Sequence, residues 1–181
     1  MKILNYSIIA LCFLMINASS CFDKDDEDKL PPETQTGNNT FGCLVNDIVW
    51  LNKGQPHFGT PNLEAIIDSN EFKIIASKTL DNINQSILII IDKPLHQGIY
   101  KLNSLNCFAQ FNDDVKNCYY KTDSISSTGI LEITKYDSVN KIVSGRFNFR
   151  ASKYITNVAA CNTCDSTINI IEGRFDINYA L

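Results

Sequence analysis

The stretches TGILEITKYD (128–137) and NKIVSGRFNFRA (140–151) decide the fold class of this chain. In both, apolar residues alternate with polar ones, and β-branched and aromatic side chains are frequent. This period-two pattern is typical of half-buried β-strands. A third stretch near the C-terminus, TINIIEGRFDINYA (167–180), has the same pattern. Together the three stretches predict a meander of long antiparallel strands.

Two of these predicted strands share a Gly-Arg-Phe motif, at residues 145–147 and 173–175. Because successive side chains of a strand point to opposite faces, the phenylalanines are predicted on one face and Arg146 and Arg174 on the other. The glycine before each arginine predicts a bulge or a site of close aromatic packing. The two arginines could bind an anionic ligand, or they could form ordinary pairs with neighbouring acids, Asp176 among them.

The rest of the chain from Phe41 onward also consists of short apolar runs separated by Asn, Asp, Ser and Gly. The run SILIIID from Ser86 predicts a central strand that is covered on both faces. Asn46 and Asp47 predict a tight hairpin turn. We therefore predict a single all-β domain over residues 41–181, an antiparallel β-sandwich. The alternative is a closed or partly open, lipocalin-like β-barrel.

The first 20 residues resemble a signal peptide, with Lys2 followed by an apolar run at 8–16. That run is too short for a transmembrane helix, which needs about 20 apolar residues. Small residues before Cys21 resemble a bacterial lipobox, so we expect Cys21 to carry an acyl lipid anchor. A secreted protein cut nearby and an uncut segment are the alternatives. The acidic and Pro-containing residues 21–40 predict a flexible tether.

The acidic run FDKDDEDK (22–29) gives a further indication of location. It resembles the export tag that carries lipoproteins to the outer face of the outer membrane in one Gram-negative lineage, although a solvated spacer has the same composition. We expect a surface-exposed outer-membrane lipoprotein, with the periplasmic face as the alternative. The membrane is then one partner. The net charge of −4, without a basic cluster, argues against nucleic acid as another.

Three blocks together resemble an uncharacterised family of Gram-negative bacterial surface lipoproteins, a domain of unknown function. They are TQTGNNTFGCLVNDIVW (34–50), TGILEITKYDSVNKIVSGRFNF (128–149) and IEGRFDINY (171–179). The resemblance covers residues 34–181 and implies a surface location and this β architecture. It implies no catalytic residues. The chain departs from the family pattern at Asp47, where Gly is usual, and at Arg146, where a small residue is usual.

Five of the seven cysteines lie in the predicted body: Cys43, Cys107, Cys118, Cys161 and Cys164. In an oxidising compartment, proximity in sequence predicts the disulfides Cys107–Cys118 and Cys161–Cys164 and leaves Cys43 as a buried thiol. The C-x-x-C at 161–164 could also be a redox pair, which needs a helix N-terminus, or part of a zinc site, which needs four ligands. Neither context is evident, so we expect no metal and no cofactor.

The sequence holds no recognisable catalytic motif. His57 and His96 lie in predicted loops, and neither is near a Gly-x-Ser-x-Gly turn. Of the adjacent Tyr119 and Tyr120, one must face away from the sheet face that the other occupies, and such a ring could stack on a sugar. We expect a non-enzymatic binding module for an envelope protein or glycan. The alternatives are a small envelope hydrolase and a barrel that carries an apolar ligand.

Overall fold

A computed structural model of the chain describes residues 29–54, 61–68, 70–122, 128–154 and 164–179. These residues form eleven β-strands: β1 (Thr40–Val45), β2 (Ile48–Leu51), β3 (Leu63–Ile67), β4 (Phe72–Leu80), β5 (Ile83–Ile91), β6 (Gly98–Lys101), β7 (Cys107–Asp113), β8 (Cys118–Lys121), β9 (Gly129–Asp137), β10 (Ile142–Lys153) and β11 (Thr167–Asn178). The described ranges contain no helix, and hence none that could cross a membrane. The predicted all-β class is confirmed.

The strands form one antiparallel sheet in the order β2-β1-β11-β10-β8-β7-β5-β4-β3, with β9 also paired to β10 and β6 to β9. Strand β10 joins what would otherwise be two sheets, because its first part pairs with β9 and its last two residues pair with β8. The sheet is not closed into a barrel. Its two ends do approach each other, since the Thr79 amide donates to the Lys53 carbonyl at 2.9 Å.

The hydrophobic core lies on the inner face of this curved sheet. There, buried side chains of adjacent strands align in cross-strand rows, such as Ala76–Ile87–Phe111–Tyr120 and Ile74–Ile89–Ala109. Strand β5 lies between β4 and β7, as the apolar run from Ser86 predicts. Its outward side chains, Leu88 and Ile90, are half-buried.

The two Gly-Arg-Phe motifs lie directly opposite each other in β10 and β11. The facing pairs are Gly145 with Phe175, Arg146 with Arg174, and Phe147 with Gly173. Each phenyl ring covers the opposing glycine, and a Cβ atom on Gly173 would lie only 2.5 Å from the Phe147 ring. Phe147 and Phe175 are buried in the core, and the predicted close aromatic packing at the glycines is confirmed.

Residues 31–38, which we call the strap, lie on the outer face of β1, β10 and β11. Pro31 covers Gly42, whose added Cβ would lie 2.6 Å from the proline ring, and the rest of the strap bonds to Asp176. In the structure the strap is therefore part of the folded body, although its composition predicts a tether that extends to residue 40. Residues 1–28, with the predicted signal peptide and Cys21, lie outside the described ranges.

Candidate functional site

A cavity of about 320 Å³ lies at the end of the sheet that carries the β1–β2, β4–β5 and β7–β8 turns. We call this end of the molecule the open end. Strands β2, β4, β5, β7 and β8 supply most of the cavity wall, which includes Trp50, Lys78, Gln85, Phe111, Asp113 and Tyr120. The cavity thus combines aromatic rings with charged and amide groups, as small-molecule sites do.

The polar groups of the cavity come from the last cross-strand row of the inner face. Lys78, Gln85 and Asp113 are direct partners across β4, β5 and β7. The neighbouring row on the same face is apolar and contains Ile87 and Phe111. It lies two residues further from the open end than the polar row does. Because side chains at i and i+2 share a face, these polar groups point to the same side as the core.

A chain of hydrogen bonds fixes this row. The Trp50 indole N–H donates to Gln85 Oε1 at 3.0 Å, and Gln85 Nε2 donates to Asp113 Oδ2 at 2.8 Å. The Lys116 backbone amide donates to Asp113 Oδ1 at 3.0 Å, and the Lys116 ammonium lies 3.9 Å from Oδ2. Asp113 is only 5% exposed, so these contacts replace most of its hydration.

The two adjacent tyrosines lie on opposite faces of β8, as the sequence predicts. Tyr120 is buried and forms part of the cavity wall, 6.3 Å from Phe111 between ring centroids. Burial raises the pKa of Tyr120, and the nearby charges of Asp165 and Asp113 raise it further. Its hydroxyl therefore stays protonated at neutral pH. Tyr119 lies on the outer face, half-buried beside Tyr154.

One disulfide borders the cavity, and it joins Cys118 to Cys164. The predicted pairing of Cys107 with Cys118 is therefore wrong, as is that of Cys161 with Cys164. Cys107 lies at the opposite end of β7 from Asp113, the residue that faces Cys118. Six residues of strand put these two ends about 20 Å apart, beyond the reach of a disulfide.

The remaining cysteines have different positions. Cys43 and Cys107 are free and buried, which confirms the prediction for Cys43. Burial raises the pKa of the Cys43 thiol, so it is unreactive. Cys161 lies outside the described residues.

Arg146 and Arg174 lie on the outer face, away from the cavity. The Arg146 guanidinium donates to Glu33 Oε2 from Nε at 2.8 Å and lies 3.9 Å from Glu132. The Arg174 guanidinium lies 3.5 Å from Glu172. Each arginine is therefore paired with an acid of the same chain, as one of the two interpretations of the sequence predicts.

The sequence suggests Asp176 as an acid that pairs with one of the arginines. In the structure its carboxylate instead binds the strap. Its carboxylate accepts hydrogen bonds from the Thr34 hydroxyl, from the Ser144 hydroxyl and from the backbone amides of residues 36–38, at 2.6 to 3.2 Å. Burial raises the pKa of Asp176, but these hydrogen bonds outweigh it and lower the pKa to about 2. The strap is thus clamped by a carboxylate that is ionised at neutral pH.

The histidines do not join the cavity in the part of the chain that is described. His96 is exposed in the loop before β6, and its Nδ1 lies 3.0 Å from the Gln97 carbonyl oxygen. His57 lies outside the described residues. Within the same ranges, His, Cys, Asp and Glu side chains do not gather in groups of three that could hold a metal ion.

The fold and the cavity define a class, a small all-β domain with a ligand-sized site at one end of its sheet. The chain belongs to the family DUF6252, a domain of unknown function, whose family model matches residues 49–176. The predicted membership of an uncharacterised family is confirmed. The match spans β2 to β11 and includes both Gly-Arg-Phe motifs. No curated protein and no solved structure matches the chain.

Proposed function

We propose that the chain is a lipid-anchored, non-catalytic binding module of the Gram-negative cell envelope, exposed at the outer surface of the outer membrane. Its open end receives the partner, and its N-terminal side holds the anchor. The observation that carries the proposal is the separation of these two surfaces. The strap approaches the body on the outer face of the sheet, whereas the cavity opens at the strand ends of the inner face.

This separation leaves the cavity accessible while the chain is tethered. The Asp176 clamp joins β11 at its C-terminal end, and Ile168 of the same strand lines the cavity. Eight residues of strand between Ile168 and Asp176 correspond to about 26 Å. A pull on the N-terminal segment therefore acts on β11 at a point about 26 Å from its residue in the cavity wall.

A binding role is favoured over catalysis by the state of the only buried carboxylate in the described part of the cavity wall. Asp113 is held by Gln85 and Lys116, and no histidine lies among the described lining residues. A hydrolase would need a nucleophile or a water-activating base with a partner that orients it. The hydrogen bonds of Asp113 instead suit a fixed polar surface.

The charged wall also favours a polar partner over an apolar cargo. The interior between the strands is filled by side chains such as Ile74, Ile89 and Phe41, all of which are fully buried. An apolar molecule at the open end would cover Lys78 and Asp113 without giving them hydrogen bonds, which is costly. The carrier alternative is therefore the weaker hypothesis.

The anchor is tested by replacing the predicted acylated cysteine. We expect Cys21→Ser to move the protein from the membrane fraction to the soluble fraction, because the acyl chains supply the membrane affinity. Cys12→Ser, within the predicted signal peptide, is the matched control and should leave retention unchanged. Full membrane retention of the Cys21→Ser variant would contradict the anchor. Protease digestion of intact cells distinguishes the outer surface from the periplasmic face.

A further inference from the structure

The cavity at the open end contains polar groups that have no partner in the part of the chain that the structure describes. Among the described residues, the Lys78 ammonium and the Tyr120 hydroxyl have no hydrogen-bond or ion-pair partner, although both residues line the cavity. Trp50, Gln85 and Asp113, by contrast, are bonded to one another. One ammonium donor and one hydroxyl, which both donates and accepts, are therefore free to meet a ligand.

The aromatic part of the wall and the size of the cavity limit the shape of that ligand. Phe111 and Tyr120 lie side by side below the polar row, and Trp50 closes the β2 side. The volume of about 320 Å³ is at the lower end of the range of about 300–1,000 Å³ that ligand cavities span. A single ring-sized molecule fits this space better than an extended chain.

The charges of the described residues that line the cavity balance. Lys78 and Lys116 supply two positive charges, and Asp113 and Asp165 supply two negative ones. An anionic or cationic ligand would therefore meet as much repulsion as attraction. A neutral ligand whose groups both donate and accept hydrogen bonds can serve a carboxylate and an ammonium together.

We propose that the open-end cavity binds a neutral pyranose ring, the terminal sugar of a glycan. Its hydroxyl groups bond to Asp113, Lys78 and Tyr120, and its apolar C–H face packs against the aromatic wall. The inference rests on the proposed function in one respect, that the open end is the binding surface. It adds the chemical class of the ligand and the residues that select it.

The single tryptophan of the chain provides the test, because Trp50 lies in the cavity wall. The full chain with Cys21→Ser is titrated with glucose, galactose and N-acetylglucosamine while the fluorescence is recorded. We expect a saturable change with at least one of these sugars. Lys78→Met and Tyr120→Phe should each weaken the binding about tenfold or more, since each removes a hydrogen bond to the ligand.

Two matched controls separate ligand contacts from general effects. Tyr119→Phe removes a hydroxyl from the neighbouring residue on the outer face, and Lys73→Met removes a lysine from the outer face of the same strand as Lys78. Both should bind the sugar as the parent chain does. The proposal is overturned if none of the three sugars gives a saturable change, or if the outer-face variants weaken binding as much as the cavity variants.

The outcome is independent of the anchor, because the titration uses a chain that lacks Cys21. Sugar binding together with unchanged membrane retention of Cys21→Ser would support the ligand class and overturn the anchor. Anchoring through Cys21 without any sugar binding would overturn the ligand class and leave the anchored module intact.

Discussion

Two buried aspartates, Asp176 under the strap and Asp113 at the open end, show how differently one sheet can use the same side chain. Asp176 accepts five hydrogen bonds from its own chain, three of them from consecutive backbone amides of the strap. Asp113 accepts bonds from Gln85 and from the Lys116 amide, and it borders a cavity.

The difference lies in what covers each carboxylate. At Asp176 the strap closes over the charge and satisfies it, so that the site is structural. At Asp113 the described ranges contain no segment that covers the polar row, and they leave a cavity whose Lys78 and Tyr120 donors have no partner among the described residues. A buried acid therefore indicates a ligand site only where its own chain leaves the surrounding polar groups without partners.

The largest loss of stability is expected at the open end, where the Cys118–Cys164 disulfide borders the cavity. Replacing Cys118 and Cys164 together by alanine should lower the free energy of unfolding by about 4 kcal/mol. The reason is that the sequence separation of 46 residues sets the loop entropy that the crosslink removes from the unfolded chain. Chemical denaturation measures this loss.

Reduction provides the control for this prediction. A reducing agent should destabilise the parent chain by a similar amount and should leave the double variant unchanged. Equal stability of the parent and the double variant under oxidising conditions would refute the contribution of the disulfide.

Removing the Asp176 carboxylate should cause the next largest loss of stability, and this loss should depend on pH. Because the folded-state pKa lies near 2, below its ordinary value of 3.8, ionised Asp176 stabilises the fold above about pH 4. That contribution, about 2 kcal/mol at about 1.4 kcal/mol per pKa unit, is lost as the pH falls from 4 towards 2. Asp176→Asn should remove it, as unfolding curves at pH 7, 4 and 2.5 would reveal.

A graded variant sharpens this prediction. Thr34→Val removes one of the five donors to Asp176 and should cost about 1 kcal/mol at neutral pH while keeping the acid-dependent loss. If Asp176→Asn is as stable as the parent chain at pH 7, the strap is not held by this carboxylate.

The smallest change in stability is expected where Arg146 forms an ion pair with Glu33 of the strap. Their side chains are 56% and 44% exposed, so solvent screens the pair. We expect the thermal midpoint of Arg146→Ala to match that of the parent chain, at low salt and in 0.5 M NaCl alike. A clear loss of stability would contradict this prediction and would indicate that Arg146, rather than Asp176, is the main attachment of the strap.

The sequence predicts those features of the fold that depend on local patterns. Alternation identifies the long strands β9, β10 and β11, and the repeated Gly-Arg-Phe motif predicts the packing of phenylalanines at glycines because period two fixes the faces. Asn46 and Asp47 adopt positive φ angles of 47° and 66°, as the predicted turn requires.

Features that depend on register between distant strands are not visible in the sequence. The disulfide prediction used proximity along the chain, whereas Cys118 and Cys164 meet because β8 and the start of β11 border the same cavity. The strap has the composition of a tether. Its contact with the body is not visible in the local sequence, because its partner is one carboxylate about 140 residues away along the chain.

The candidate site was only partly predictable for the same reason. The sequence predicts that Tyr119 and Tyr120 face opposite sides of their strand, and Tyr120 lines the cavity. Asp113 sits next to Asp114 in the polar run NDDVK (112–116), whose composition does not indicate a buried residue. The signal that could have found it is its position two residues after Phe111 on the inner face of β7.

We expect the open end to bind the partner and the strap face not to bind it. The indole N–H of Trp50 gives one isolated resonance in the ¹H–¹⁵N spectrum, because the chain has a single tryptophan. We predict that a mixture of glucose, galactose and N-acetylglucosamine shifts this resonance and the Lys116 amide, while the amides of residues 36–38 stay in place. An unmoved indole signal, or shifts confined to the strap, would contradict binding at the open end.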